Sequence, residues 1–108
     1  MVIVLFRRLL REDADLEQYE QTFGHMFGLV SQMPGFLGIE DFVAEDGKTH
    51  LAVARFESEH DVDEWRDKPE HRKAQQRGRN EFFESYELVV TTLVRERSFA
   101  RATENAAT

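Results

Sequence analysis

A chain of 108 residues holds one domain and one modest core, burying roughly 60–70% of the surface its unfolded form exposes. A formal charge of −7 argues against nucleic acid as a partner, and the absence of cysteine excludes disulfides, thiolate zinc sites and thiol nucleophiles. Composition is otherwise that of a globular protein, 41% hydrophobic and 32% charged, with nine Phe that suit aromatic packing or a pocket for a flat ligand.

The opening MVIVLFRRLL is β-branched and aromatic, and it predicts a strand over Val2–Leu10. It lacks the basic leader and small-residue cleavage site of a signal peptide, and no apolar run approaches a membrane span, so a cytoplasmic protein is expected. Apolar residues fall on both parities, Val2, Val4 and Phe6 on one and Ile3, Leu5 and Leu9 on the other. Both faces of the first half of the strand are therefore expected to be covered.

A helix follows, capped by Asp13 or Asp15. Leu16, Tyr19, Phe23, Met26, Phe27, Val30 and Met33 recur at helical spacing as one broad apolar stripe, and Pro34-Gly35 stops it. Asp46-Gly47 marks a hairpin between strands near Phe36–Glu45 and Lys48–Phe56. Ser58 and Asp61 form a capping pattern for a second helix that continues or restarts at Pro69 and runs to about Phe83. SYELVVTTLVRERSF is the last strand, again apolar on both parities, and residues 100–108 read as a loose tail.

The order β-α-β-β-α-β is the ferredoxin-like pattern, an α+β fold whose antiparallel sheet carries its helices on one face. The other face needs cover, and a second copy of the chain supplies it, so a homodimer with facing sheets is expected.

On the second helix, DEWRDKPEHRKAQQRGR sets Trp65 and His71 among many charges. His71, Ala74, Gly78 and Phe82 share one helical face, whose small residues leave room for a close approach or a cavity between helix and sheet. The flanking Arg72, Lys73, Gln76, Arg77 and Arg79 are expected in solvent. His71 is either a proton shuttle or a half-buried histidine bonded to backbone at a helix start. Trp65 is either a stacking wall or plain core. His50 shares the parity of Ala52, Ala54 and Phe56 and reaches the same pocket if that parity faces the helices. Phe23, Phe27 and Phe82 are core or pocket lining, and Tyr86 packs at a strand end or bonds a substrate oxygen. His25 and His60 read as surface. There is no phosphate loop, dinucleotide fingerprint or nucleophile elbow, and the four scattered His lack metal-ligand spacing.

With PGFLG opening the second strand and EWRDKPEHRKAQQRGRNEFFESYELVVTTLVRERSF closing the domain, the chain resembles the antibiotic biosynthesis monooxygenase family of the dimeric α+β barrel superfamily. The resemblance covers about residues 2–99, giving a domain over 1–99 and a tail over 100–108. It implies a dimer with a pocket in each subunit and a monooxygenase that uses dioxygen on a flat polycyclic phenol or quinol without metal, flavin or other cofactor. In that reading His71 is the acid–base residue, and Trp65, Phe23, Phe27, His50, Phe82 and Tyr86 bind the substrate. Two alternatives stand beside it. One is a haem-binding or haem-degrading relative, whose branch carries a first-strand Asn and a ligand His three turns after the Trp; here those places read Phe6-Arg7-Arg8 and Gln75. The other is a non-catalytic dimer that binds a small ligand.

Overall fold

A computed structural model describes residues 1–102. Its elements are β1 (Val2–Leu10), α1 (Leu16–Val30), β2 (Phe36–Val43), β3 (Thr49–Phe56), α2 (Glu59–Arg66), α3 (Pro69–Arg77), a π turn (Gly78–Phe82) and β4 (Phe83–Thr92). The four strands form one antiparallel sheet in the order β2-β3-β1-β4, the ferredoxin-like α+β arrangement. Among the described residues no helix is long and apolar enough to cross a membrane.

Local chemistry fixes most boundaries. The Asp15 side chain accepts the Gln18 N–H at the start of α1, and Ser58 accepts the Asp61 N–H at the start of α2. In the hairpin, Asp46 accepts three hydrogen bonds from Lys48 and Thr49, which hold its carboxyl down to about 2. The strands end earlier than the hairpin signal suggests, β2 at Val43, with β3 starting at Thr49, because Asp46 gathers the intervening residues into the turn. β4 also differs from expectation, beginning at Phe83 and ending at Thr92. It runs antiparallel to β1, and just past its end the Leu93 N–H donates to the Met1 carbonyl. The tail assigned to residues 100–108 lies from 103 onward outside the described residues.

The second helix restarts at its proline and changes its pitch. Lys68 precedes Pro69 and is extended (φ −62°, ψ 132°), as the proline ring demands, so α2 and α3 are separate helices. After Arg77 the backbone widens into the π turn, and a Cβ on Gly78 would come within 2.5 Å of the Phe83 ring.

Even-numbered residues of β1 and β3 face the helices. Val2, Ala54 and Phe56 join Val30 of α1 and Val62 of α2 in the core, with Val4, Phe36, Ile39 and Trp65 packed around it. The stripe of α1 is broader than its contact with the sheet. Val30 is buried and Tyr19, Phe23 and Met26 partly so, whereas Leu16 and Phe27 stay 58% and 47% exposed. On the sheet's opposite face Ile3, Leu5, Leu51 and Val53 are half-buried by their neighbours alone, and Phe42 and Val89 are more open still.

Candidate functional site

The break between α2 and α3 turns the chain back on itself, bringing His71, in the first turn of α3, against Trp65 near the end of α2. Their rings stack with centroids 4.2 Å apart and planes 17° from parallel. His71 Nδ1 lies 3.1 Å from the Trp65 carbonyl oxygen. That oxygen only accepts, so Nδ1 carries the proton and Nε2 of the neutral ring carries a lone pair. Burial pushes the His71 pKa below its ordinary value, and the backbone bond only partly opposes this. The ring is thus neutral at neutral pH, with its Nε2 lone pair unprotonated. His71 is half-buried at a helix start and bonded to backbone, the structural alternative read from the sequence, and that arrangement leaves one nitrogen available.

A second constellation sits at the other end of the sheet. Arg8, only 2% exposed, follows Val2, Val4 and Phe6 on the inward parity of β1. Its Nη1 and Nη2 donate to the two oxygens of Asp41 on β2 at 2.8 and 2.9 Å, and its Nε donates to the Tyr19 hydroxyl of α1 at 2.7 Å. The guanidinium also lies over the rings of Phe6 and Phe23. Burial pushes the Tyr19 pKa up against the opposing pull of Arg8, so the phenol keeps its proton. His50 pairs with Arg8 across β1 and β3, and its Nδ1 lies 3.7 Å from Asp41 Oδ2.

The remaining candidates divide between these places. Phe23 and Phe82 both pack on Tyr19, with centroids 6.0 and 5.6 Å away. Tyr86 is half-exposed, with its ring against Phe6 and Phe83 and its hydroxyl accepting from Arg79. Phe27 makes no part of either group and is open in the single chain. His25 and His60 are exposed. Ala74 borders an open groove between α1 and α3 that neither His71 nor Trp65 lines. Of the basic residues, Arg72, Lys73 and Arg79 are exposed as expected. Arg77 is not free: it donates to Gln18 and Thr22 of α1 and to Glu81, tying α3 to α1. Arg8 and Asp41 stand outside the residues expected from the sequence, where Tyr19 is only one member of the α1 stripe. One signal was present, a charge on the inward parity of an otherwise apolar strand. Among the described residues no three His, Asp or Glu gather as a metal ion requires.

Comparison with known proteins agrees with this architecture. The family model for antibiotic biosynthesis monooxygenase matches residues 1–77. The YqjZ protein of Bacillus subtilis (strain 168) is 33% identical over 87 residues, spanning 81% of this chain and 75% of that one. Among solved structures, Rv0793 from Mycobacterium tuberculosis superposes with a TM-score of 0.78 at 20% identity, covering 90% of this chain and 98% of the other. SnoaB, a cofactor-independent oxygenase from Streptomyces nogalater, superposes with a TM-score of 0.70 at 15% identity, covering 95% of each chain. At those identities the structural likeness establishes the fold, and the sequence match establishes kinship. The chain belongs to the antibiotic biosynthesis monooxygenase family.

Proposed function

We propose that the protein is a cofactor-independent monooxygenase acting on a flat polycyclic phenol or quinol, with His71 as the proton acceptor and Trp65 as an aromatic wall. The observation that carries this reading is the stacked pair itself. The Trp65 carbonyl orients the imidazole and fixes its tautomer, while burial keeps it neutral, so Nε2 is poised to accept a proton. In this reading Nε2 takes the substrate's proton and the resulting anion passes electrons to dioxygen. One oxygen atom stays on the substrate and the other leaves as water, the substrate itself supplying every electron. SnoaB, whose fold this chain shares, is a cofactor-independent oxygenase, and membership of the antibiotic biosynthesis monooxygenase family supports the same chemistry here.

The test is oxygen uptake with an anthrone or quinol substrate. His71→Gln keeps a polar side chain that bonds the backbone and should cut turnover by about a hundredfold while the protein stays folded. Wild-type turnover should hold through neutrality and fall only on the acid side, because burial depresses the His71 pKa and keeps the base unprotonated at neutral pH. A glutamine variant with full turnover rejects the assignment.

The same reading includes a homodimer. The sheet face turned away from the helices presents Ile3, Leu5, Phe42, Leu51, Val53 and Val89, and a second copy of that face would bury them. Sedimentation at micromolar concentration should show a dimer. A monomer alone under those conditions contradicts it.

A further inference from the structure

We propose that His50 is a second proton acceptor, positioned by Asp41 and Arg8, and that it receives the hydroxyl of a phenol-type ligand at the Arg8 end of the sheet. The first observation is an atom without a partner. His50 Nδ1 is shielded from solvent and makes no hydrogen bond among the described residues, although its side chain as a whole is 31% exposed. The exposure therefore belongs to the rest of the ring. A buried ring nitrogen without a partner is costly, and the group facing it is the Asp41 carboxylate, 3.7 Å away. A small ring rotation converts that approach into an Nδ1–H to Oδ2 bond. Nε2 then holds the lone pair on the open side of the ring.

The second observation is how firmly Asp41 is held. Both its oxygens are clamped by the buried fork of Arg8, so the carboxylate cannot turn away from His50. A carboxylate that orients a histidine, itself anchored by a third group, is the arrangement by which proteins build a positioned base. The surroundings select the ligand. Phe6 and Phe23 flank the Arg8 guanidinium, and Tyr19 bonds it and offers a protonated hydroxyl. A carboxylic acid is already ionised at neutral pH and needs no base, whereas a phenol does and its ring suits these aromatic neighbours. On proton transfer the phenol O–H bond breaks, the electron pair stays on oxygen, and an N–H bond forms at Nε2. Arg8 and the imidazolium against one Asp41 then leave a single positive charge for the phenolate to neutralise.

This inference shares the ligand class of the proposed function but none of its proton-accepting residues, so the two fail separately. Nitrogen-15 chemical shifts of the wild-type imidazoles read the first part directly, and the proton of neutral His50 should sit on Nδ1. For the second part 4-nitrophenol is the probe, because its anion absorbs where the phenol does not. At a pH where the free probe is mostly protonated, the wild-type protein should raise the phenolate band. The band that remains in His71→Gln, where the other proposed proton acceptor is gone, should fall about tenfold when His50→Gln is added, the worth of one good hydrogen bond, and should be unchanged when His60→Gln, an exposed position, is added instead. A proton on Nε2, a His71→Gln protein that raises no band, a band that survives the addition of His50→Gln in that background, or one lost on adding His60→Gln each overturns the inference. Oxygen uptake decides the His71 assignment independently.

Discussion

Phe56→Ala should destabilise the protein by about 4 kcal/mol and lower its Tm by on the order of 20 °C. Phe56 is 1% exposed and is the largest side chain fully buried in the molecule's described part. It meets Phe36 edge to face at 5.6 Å and touches a core otherwise built of small residues, Val2, Val30, Ala54 and Val62. Valine and alanine neighbours have little side chain with which to close the gap, so the cavity persists and its cost adds to the lost burial. A domain of this size has about 5–15 kcal/mol in total, so the loss is a large share of it. Phe42→Ala provides the contrast. Half-exposed on edge strand β2, it should cost roughly 1 kcal/mol or less in the isolated chain. Urea denaturation of both variants decides the matter, and equal costs would mean that Phe56 is not the centre of the core.

Asp41→Ala should cost about 3 kcal/mol, more than any exposed ion pair in the molecule. The Asp41 carboxylate itself is 35% exposed, so little of that cost comes from its own burial. It comes from Arg8, whose buried guanidinium would keep one neutral partner, the Tyr19 hydroxyl, in place of a bidentate carboxylate. Removing both charges is a different change. The double variant Arg8→Met with Asp41→Leu should return to within about 1 kcal/mol of wild type, since no unpaired charge remains and the methionine fills the same space. A denaturation cycle over the single and double variants measures the coupling. If the costs of the two single changes simply add, the pair is not acting as a unit.

Most of the architecture was written locally in the sequence. Asp15, Ser58, Asp46-Gly47 and Pro69 each act on residues a few positions away, and each set the boundary expected of it within two residues. Alternation put His50 in phase with Ala52, Ala54 and Phe56, a local property, but which side that parity faces is decided only when the helices pack on the sheet. The Trp65–His71 pairing was partly visible as two aromatic side chains flanking a proline, although the stack and the carbonyl bond depend on how far the break turns the chain. What escaped was long-range. Arg8 meets Asp41 across 33 positions of sequence, and although its inward parity marks Arg8 itself, nothing nearby marks Asp41 as its partner. The π turn escaped for a related reason, since it is imposed where α3 must hand the chain to β4 beneath the Phe83 ring, not by any residue that prefers a wide pitch.

The two clusters lie at opposite ends of one strand. Val2 and Arg8 are separated by six residues of β1, about 20 Å of extended chain. Changes that far apart add without interference. Selection can therefore remodel the polar end, exchanging charges and partners to suit a new ligand, while the apolar end keeps the domain folded. A lineage built on this plan can diversify its chemistry at the polar end, provided that buried charges there are exchanged in pairs, without disturbing the packing of the apolar end.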